Sequence, residues 1–123
     1  MYSKIMRGAA VAQTIGCRRV PGTMQDFKAS FFRALASPVR IRLLEELRAG
    51  ELTVGDLQQR LGLDSSNVSQ HLAILRSHSL VVARRDGNNV WYSVDEPRIY
   101  EILDAARAIF KNQVNASTRL LAE

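Results

Sequence analysis

The stretch that decides the fold is Thr53-Val54-Gly55-Asp56-Leu57-Gln58-Gln59-Arg60-Leu61-Gly62-Leu63-Asp64-Ser65-Ser66-Asn67-Val68-Ser69-Gln70-His71-Leu72-Ala73-Ile74-Leu75-Arg76-Ser77. Val54, Leu57 and Leu61 recur at helical spacing and form one apolar stripe. Thr53 stands where a hydroxyl can cap the amide of Asp56, and the Asp56 carboxylate lies in the favourable first turn. Gly62 is placed to end that helix with positive φ. Asp64 or Ser65 then caps a second helix that runs to about Ser77. Two amphipathic helices joined by a short glycine-containing turn read as a helix-turn-helix.

The second helix has an unusual outer face. At about 100° per residue, Leu72 and Leu75 fall within about 40° of Val68 and define the core side. Ser66, Gln70, Ala73 and Ser77 lie opposite, flanked by Asn67 and Ser69. That face carries no carboxylate, and Ile74 is its only long aliphatic residue, at the edge. Short hydrogen-bonding side chains let a helix approach a major groove closely. Asn and Gln read adenine edges bidentately, Ser bonds bases or phosphates, and a helix N-terminus favours phosphate. The bland alternative is a capped, serine-rich solvent face.

The segment after the helix pair favours the groove reader. Leu80 to Arg85 is rich in strand formers, Asp86-Gly87-Asn88-Asn89 is turn chemistry, and Val90 to Val94 returns as a second strand. Arg84 and Arg85 approach the tip of this hairpin and Asn88 and Asn89 occupy it. A basic ribbon in that place contacts DNA backbone or the minor groove. Ser66, Asn67, Ser69 and Gln70 are therefore expected at base edges or nearby phosphates, and Ser65 beside them is expected to touch DNA. Arg76, Arg84, Arg85, Asn88 and Asn89 are expected mainly at the backbone.

Upstream, Phe27, Phe31 and Leu35 mark a first helix from Asp26. Ser37-Pro38 caps and starts a second that stops near Gly50. Downstream, Asp95-Glu96-Pro97 opens a last helix with a wide apolar stripe. The expected fold is mainly α with a small β-hairpin, in the order α-α-α-α-β-β-α.

The segments Phe31-Phe32-Arg33-Ala34-Leu35-Ala36-Ser37-Pro38-Val39-Arg40-Ile41-Arg42-Leu43-Leu44, Glu51 to Leu57, Ser66 to Arg76 and Arg85 to Tyr92 together resemble the ArsR family of winged-helix repressors. The resemblance covers the body from about 27 to 94. It implies a homodimer built on the first and last helices, a pseudo-palindromic duplex operator, and repression relieved by an inducer that the sequence does not identify. Phe27, Phe31, Ile99, Ile102, Leu103, Ala106, Phe110 and Val114 are the expected dimer contacts. Metal sensors that the chain resembles place cysteines where it has Thr53 and Gly55, neither a soft-metal ligand. Others bind zinc through Asp and His on the last helix, which here has Asp104 and no histidine. His71, about 60° from the core centre of its helix, is expected to pack and bond neighbouring backbone. His78 is expected at a helix end, suited to the dipole. No metal site and no cofactor is expected. Family members commonly have glycine just before the first wing strand, where this chain has Ser79.

Composition bounds the remaining choices. The chain has 123 residues, 46% of them hydrophobic, which suits one domain with a modest core. The net charge is +5, but Lys4, Arg7, Arg18 and Arg19 put +4 of it in residues 1–24, which contain no acid. Those residues read as a basic leader, separated at Pro21-Gly22 from a body over 25–123, with Met24 as an alternative start. A lipoprotein signal is rejected because Ala9-Ala10-Val11-Ala12 is too short and Gln13-Thr14 breaks it. No apolar run has the length of a membrane span. A lone cysteine, Cys17, needs no oxidising compartment, so a cytoplasmic protein is expected.

Competing functions fare less well. No Ser-His-acid set, phosphate-cradling glycine loop or supported carboxylate pair points to an enzyme, and Ser66 and His71 face different sides of their helix. A winged-helix protein-interaction module would carry an apolar outer face on the fourth helix. RNA binding would use exposed aromatics. A thiol-responsive regulator would use Cys17, whose pKa Arg18 and Arg19 would lower.

Overall fold

The computed structural model describes residues 22–122; Cys17 and most of the basic leader lie outside them. The order is α1 (Met24–Leu35), α2 (Pro38–Glu46), a single 3-10 turn (Leu47–Ala49), β1 (Leu52–Thr53), α3 (Val54–Leu61), α4 (Ser65–Ser77), β2 (Val81–Asp86), β3 (Asn89–Val94) and α5 (Ile99–Ala122). This is the expected winged helix-turn-helix order with one addition. β1 pairs antiparallel with β3, through Leu52↔Tyr92 and Thr53↔Trp91, and makes the hairpin a three-stranded sheet in the order β1-β3-β2.

Local chemistry accounts for most boundaries. α1 begins two residues earlier than the sequence suggested, because Thr23 caps the amide of Asp26 at 3.0 Å. Ser37 accepts from the amide of Arg40 and Pro38 takes the first helical position of α2. At α3 the Thr53 hydroxyl accepts from the Asp56 amide while the Asp56 carboxylate accepts from the Thr53 amide, a complete capping box. Gly62 has φ +69° and closes α3. Asp64, not Ser65, caps α4, accepting from the Asn67 amide at 2.8 Å.

The end of α4 is less comfortable. Ser79 has φ +59°, the only non-glycine with positive φ among the described residues. Its amide bonds the Arg76 carbonyl at 2.9 Å and the next amide, Leu80, reaches back to Leu75 at 3.0 Å. That is a Schellman closure with serine at the position that normally takes glycine. Leu75 and Leu80 are both buried and complete the apolar contact that accompanies the motif. Ser79→Gly should therefore stabilise the protein by about 0.5–1 kcal/mol. A urea midpoint that stays put or falls would contradict this.

The core is aliphatic. Leu43, Leu44, Leu57, Val68, Leu72 and Leu75 are fully buried and bring α2, α3 and α4 together. Ile99 joins them from the first turn of α5. Only the start of α5 packs on the protomer: Ile102 and Leu103 are half-buried, and Tyr100 donates its hydroxyl to the Leu44 carbonyl. Burial pushes the Tyr100 phenol up to about 12, so it remains a donor. Arg48 binds Asp104 bidentately at 2.8 and 2.9 Å and lies 4.8 Å from the Tyr100 ring centre. Both carboxylate oxygens of Asp104 thus have a guanidinium partner. From residue 104 to 121 every residue of α5 is exposed.

Candidate nucleic-acid interface

The three-residue turn Gly62-Leu63-Asp64 sets α4 against α3, and Val68, Leu72 and Leu75 lock it from behind. The opposite face is open. Ser65, Ser66, Asn67, Ser69, Gln70, Ala73 and Arg76 are all exposed, and Ile74 is 36% exposed at the edge. The groove-reading face expected from periodicity is thus contiguous and uncovered. One of its groups, and the N-cap residue beside it, have local duties. The Ser77 hydroxyl donates to the Ile74 carbonyl at 2.7 Å. The Asp64 carboxylate takes the Asn67 amide and brings a negative charge to the helix N-terminus, so that end is less inviting to phosphate than the sequence suggested.

Both histidines have partners of defined polarity. His78 Nδ1 lies 3.0 Å from the Ile74 carbonyl. A carbonyl only accepts, so this nitrogen carries a proton and meets the helix C-terminus as expected. His71 differs from expectation: its Nδ1 meets no backbone group but the Arg40 guanidinium, at 3.2 Å. Guanidinium only donates, so His71 Nδ1 accepts and the ring is neutral. Arg40 also donates from Nε to the Ala34 carbonyl at 2.6 Å and from Nη2 to the Arg33 carbonyl at 3.1 Å. One side chain therefore closes the end of α1 and braces the helix that carries the reader.

Burial first, and the Arg40 charge second, hold His71 below its ordinary pKa of 6.5. The folded state therefore binds fewer protons than the unfolded chain just below that value. The contribution is fully present above about pH 6.5 and is lost as pH falls toward the folded pKa. Thermal melts at pH 7.5 and 5.5 should show a loss for the wild type that His71→Gln reduces. An equal loss in both proteins would remove His71 as its source.

The wing is a hairpin closed by Gly87-Asn88, with Asp86 opposite Asn89. Gly87 has φ +64° while Asn88 does not enter the positive region, the sign pattern of a type II′ turn. Asn88 and Asn89 are exposed at the tip, and so is Arg85, which makes no ion pair among the described residues. Arg84 is different. It binds Glu51 at 2.7 and 3.3 Å and lies 3.8 Å from Asp86. It is not the free cation the sequence suggested, and Glu51 is a partner that no local pattern announced.

The expected dimer residues divide. Phe27 is 48%, Phe110 64% and Val114 45% exposed; Ala106 is exposed, and Phe31, Ile102 and Leu103 are half-buried. Phe27 and Phe31 stack with ring centres 6.2 Å apart and line a groove of about 440 Å³ with Leu80 and Ile102. Ile99 is a correction: at 1% exposure it belongs to the protomer's own core and reaches that groove only as part of its floor.

Comparison with known proteins agrees with this geometry. A helix-turn-helix domain family matches residues 35–84. The HTH-type transcriptional regulator Rv0081 of Mycobacterium tuberculosis is 43% identical over 101 residues, 81% of this chain and 89% of that one. A probable mercury resistance operon repressor of Streptomyces lividans is 38% identical over 104 residues, covering 85% and 83% of the two chains. The crystal structure of Rv0081 superposes with a TM-score of 0.71 over 77% of this chain and 96% of that one. A homodimeric winged helix-turn-helix domain from Mycobacterium bovis, described as a possible ArsR-family regulator, is 25% identical with a TM-score of 0.67, covering 76% and 86%. The fold and these relatives define a winged helix-turn-helix transcriptional regulator. The chain belongs to the ArsR family of these proteins.

Proposed function

We propose that the chain is a homodimeric repressor that reads a pseudo-palindromic operator with α4 in the major groove and the wing on flanking backbone. The observation that carries this reading is the open Ser/Asn/Gln face of α4, free of carboxylates and backed by a fully buried leucine-rich face. Ser66, Asn67, Ser69 and Gln70 take base edges or nearby phosphates. Ser65, Arg76, Arg85, Asn88 and Asn89 take the backbone. Two-fold symmetry puts the half-sites ~34–36 Å apart, or a multiple of that. The dimer forms through α1 and the exposed stripe of α5, as the related Mycobacterium bovis domain is homodimeric. Nothing in this role requires a catalytic group or a membrane, and no helix among the described residues is long and apolar enough to cross one. Such a repressor works in the cytoplasm.

The regulated signal is not assigned to the sites where the metal sensors it resembles hold cysteines. Thr53 is committed to capping α3, and Gly55 beside it has no side chain to ligate.

The test is fluorescence anisotropy of the purified protein on its own upstream promoter duplex and on a scrambled duplex, across a salt series. The expected result is tight binding to the promoter alone, with a steep salt dependence. Gln70→Ala should cost about 1–3 kcal/mol at one operator position and relax the preference there, whereas Arg85→Ala should weaken binding to every duplex and flatten the salt slope by about 1 for each phosphate it no longer neutralises. Equal losses on operator and random DNA for Gln70→Ala would remove its reading role. No binding to either duplex at low salt would end the proposal.

A further inference from the structure

The two arginines of the wing are neighbours in sequence, yet they have opposite circumstances. Alternation along β2 puts Val81, Ala83 and Arg85 on one side of the sheet, and Val82, Arg84 and Asp86 on the other. On the second side, Thr53, Trp91 and Arg84 lie in one row across all three strands, because Thr53 pairs with Trp91 and Trp91 with Arg84. Glu51 stands just before β1 at the far end of that row. The Arg84 guanidinium reaches over the Trp91 ring, 6.0 Å from its centre, and closes on Glu51 with two hydrogen bonds of 2.7 and 3.3 Å. The strap therefore runs from the outer strand of the wing to the residue two before the cap of α3. β1 itself has only two residues, so it offers little backbone pairing to fix the sheet against the helix pair.

We propose that Arg84 is a positioning residue rather than a phosphate contact: with Glu51 it straps the wing to the start of the helix-turn-helix and sets where Arg85 and the tip meet DNA. This rests on the reading of the chain as a DNA-binding regulator, and it removes Arg84 from the residues expected to touch backbone. A bidentate guanidinium–carboxylate pair has the geometric definition for such a role, which a lone charge lacks. The Trp91 ring lies at the outer limit of a cation–π contact with the guanidinium.

The alternative is that Glu51 merely restrains Arg84 until phosphate displaces it. The two ideas predict opposite signs. Under the strap, Glu51→Gln and Arg84→Gln each weaken operator binding by about two- to fivefold, the range an exposed ion pair allows, and leave the salt slope at the wild-type value. The exchanged pair Glu51→Arg with Arg84→Glu restores most of the affinity. Arg85→Ala serves as the reference that does flatten the slope. Under the alternative, Arg84→Gln flattens the slope as Arg85→Ala does, and Glu51→Gln strengthens binding; either result overturns the strap. Trp91, the only tryptophan in the chain, supplies a readout independent of DNA. Its emission should shift in Glu51→Gln and Arg84→Gln, stay unchanged in Arg85→Ala, and return in the exchanged pair. Unchanged emission in both single variants would also overturn the strap. A wild type that binds no duplex would instead strike the regulator reading, with the emission series still judging the strap.

Discussion

Leu72→Ala should lower the stability of the protein by about 2–5 kcal/mol, the range for deleting a leucine side chain from a packed interior. Leu72 is fully buried on the inner face of α4 and meets an aliphatic core with no buried polar group among the described residues. The void has no water-accessible polar lining to relieve it, so the loss combines transfer and cavity terms. Set against a typical domain stability of about 5–15 kcal/mol, this one change removes a large share. Operator binding should fall with it, because the buried back face of α4 is what seats that helix on the core. Gln70→Ala, on the same helix but open to solvent, should shift stability by less than about 0.5 kcal/mol. Urea unfolding of the two variants side by side checks the contrast. A Leu72→Ala loss below about 1 kcal/mol would mean that α4 does not pack as described.

Phe110→Asp should convert the dimer to a monomer and weaken binding to the full operator by about a hundredfold or more, the scale set by lost avidity. Phe110 is 64% exposed and lies with Ile109 and Val114 on a helix that its own protomer does not cover. Removing it costs the protomer little. In a dimer interface the aspartate would be buried without a partner charge, which is strongly unfavourable. The large effect on DNA comes from uncoupling the half-sites. When two readers are joined, the second binds at an effective concentration in the millimolar range, and avidity rises by about 10²–10⁴. Sedimentation equilibrium and half-site against full-site titrations separate the two consequences. An unchanged mass would move the dimer surface away from α5.

Much of this architecture was legible because it is local. Ser37, Thr53, Asp56 and Gly62 act on groups three or four residues away, and their side chains announce it. The two faces of α4 come from a single period. What escaped was long-range. Leu52–Thr53 is too short to show a strand period, and only pairing with β3 makes it one. Arg40 meets His71 across 31 residues and Arg84 meets Glu51 across 33, and no spacing rule connects them. Ile99 shows a subtler limit. It belongs to the apolar stripe of α5 like Phe110, but a stripe says only that a surface is covered, not by which chain. Ser79 stands out in the sequence by the glycine it replaces, and the positive φ there explains why glycine suits the place.

The two-residue β1 has a consequence for the DNA. Because it leads straight into the cap of α3 and the Arg84–Glu51 pair closes beside it, the wing and the helix pair should move together, and the distance between reader and wing tip should change little on contact. The duplex must then adapt to the protein. On the proposed docking, base steps lying between the groove that α4 enters and the backbone under the wing need touch no side chain, yet their stiffness and groove width would enter the binding energy. Part of the operator's information should therefore sit in bases chosen for how readily they bend.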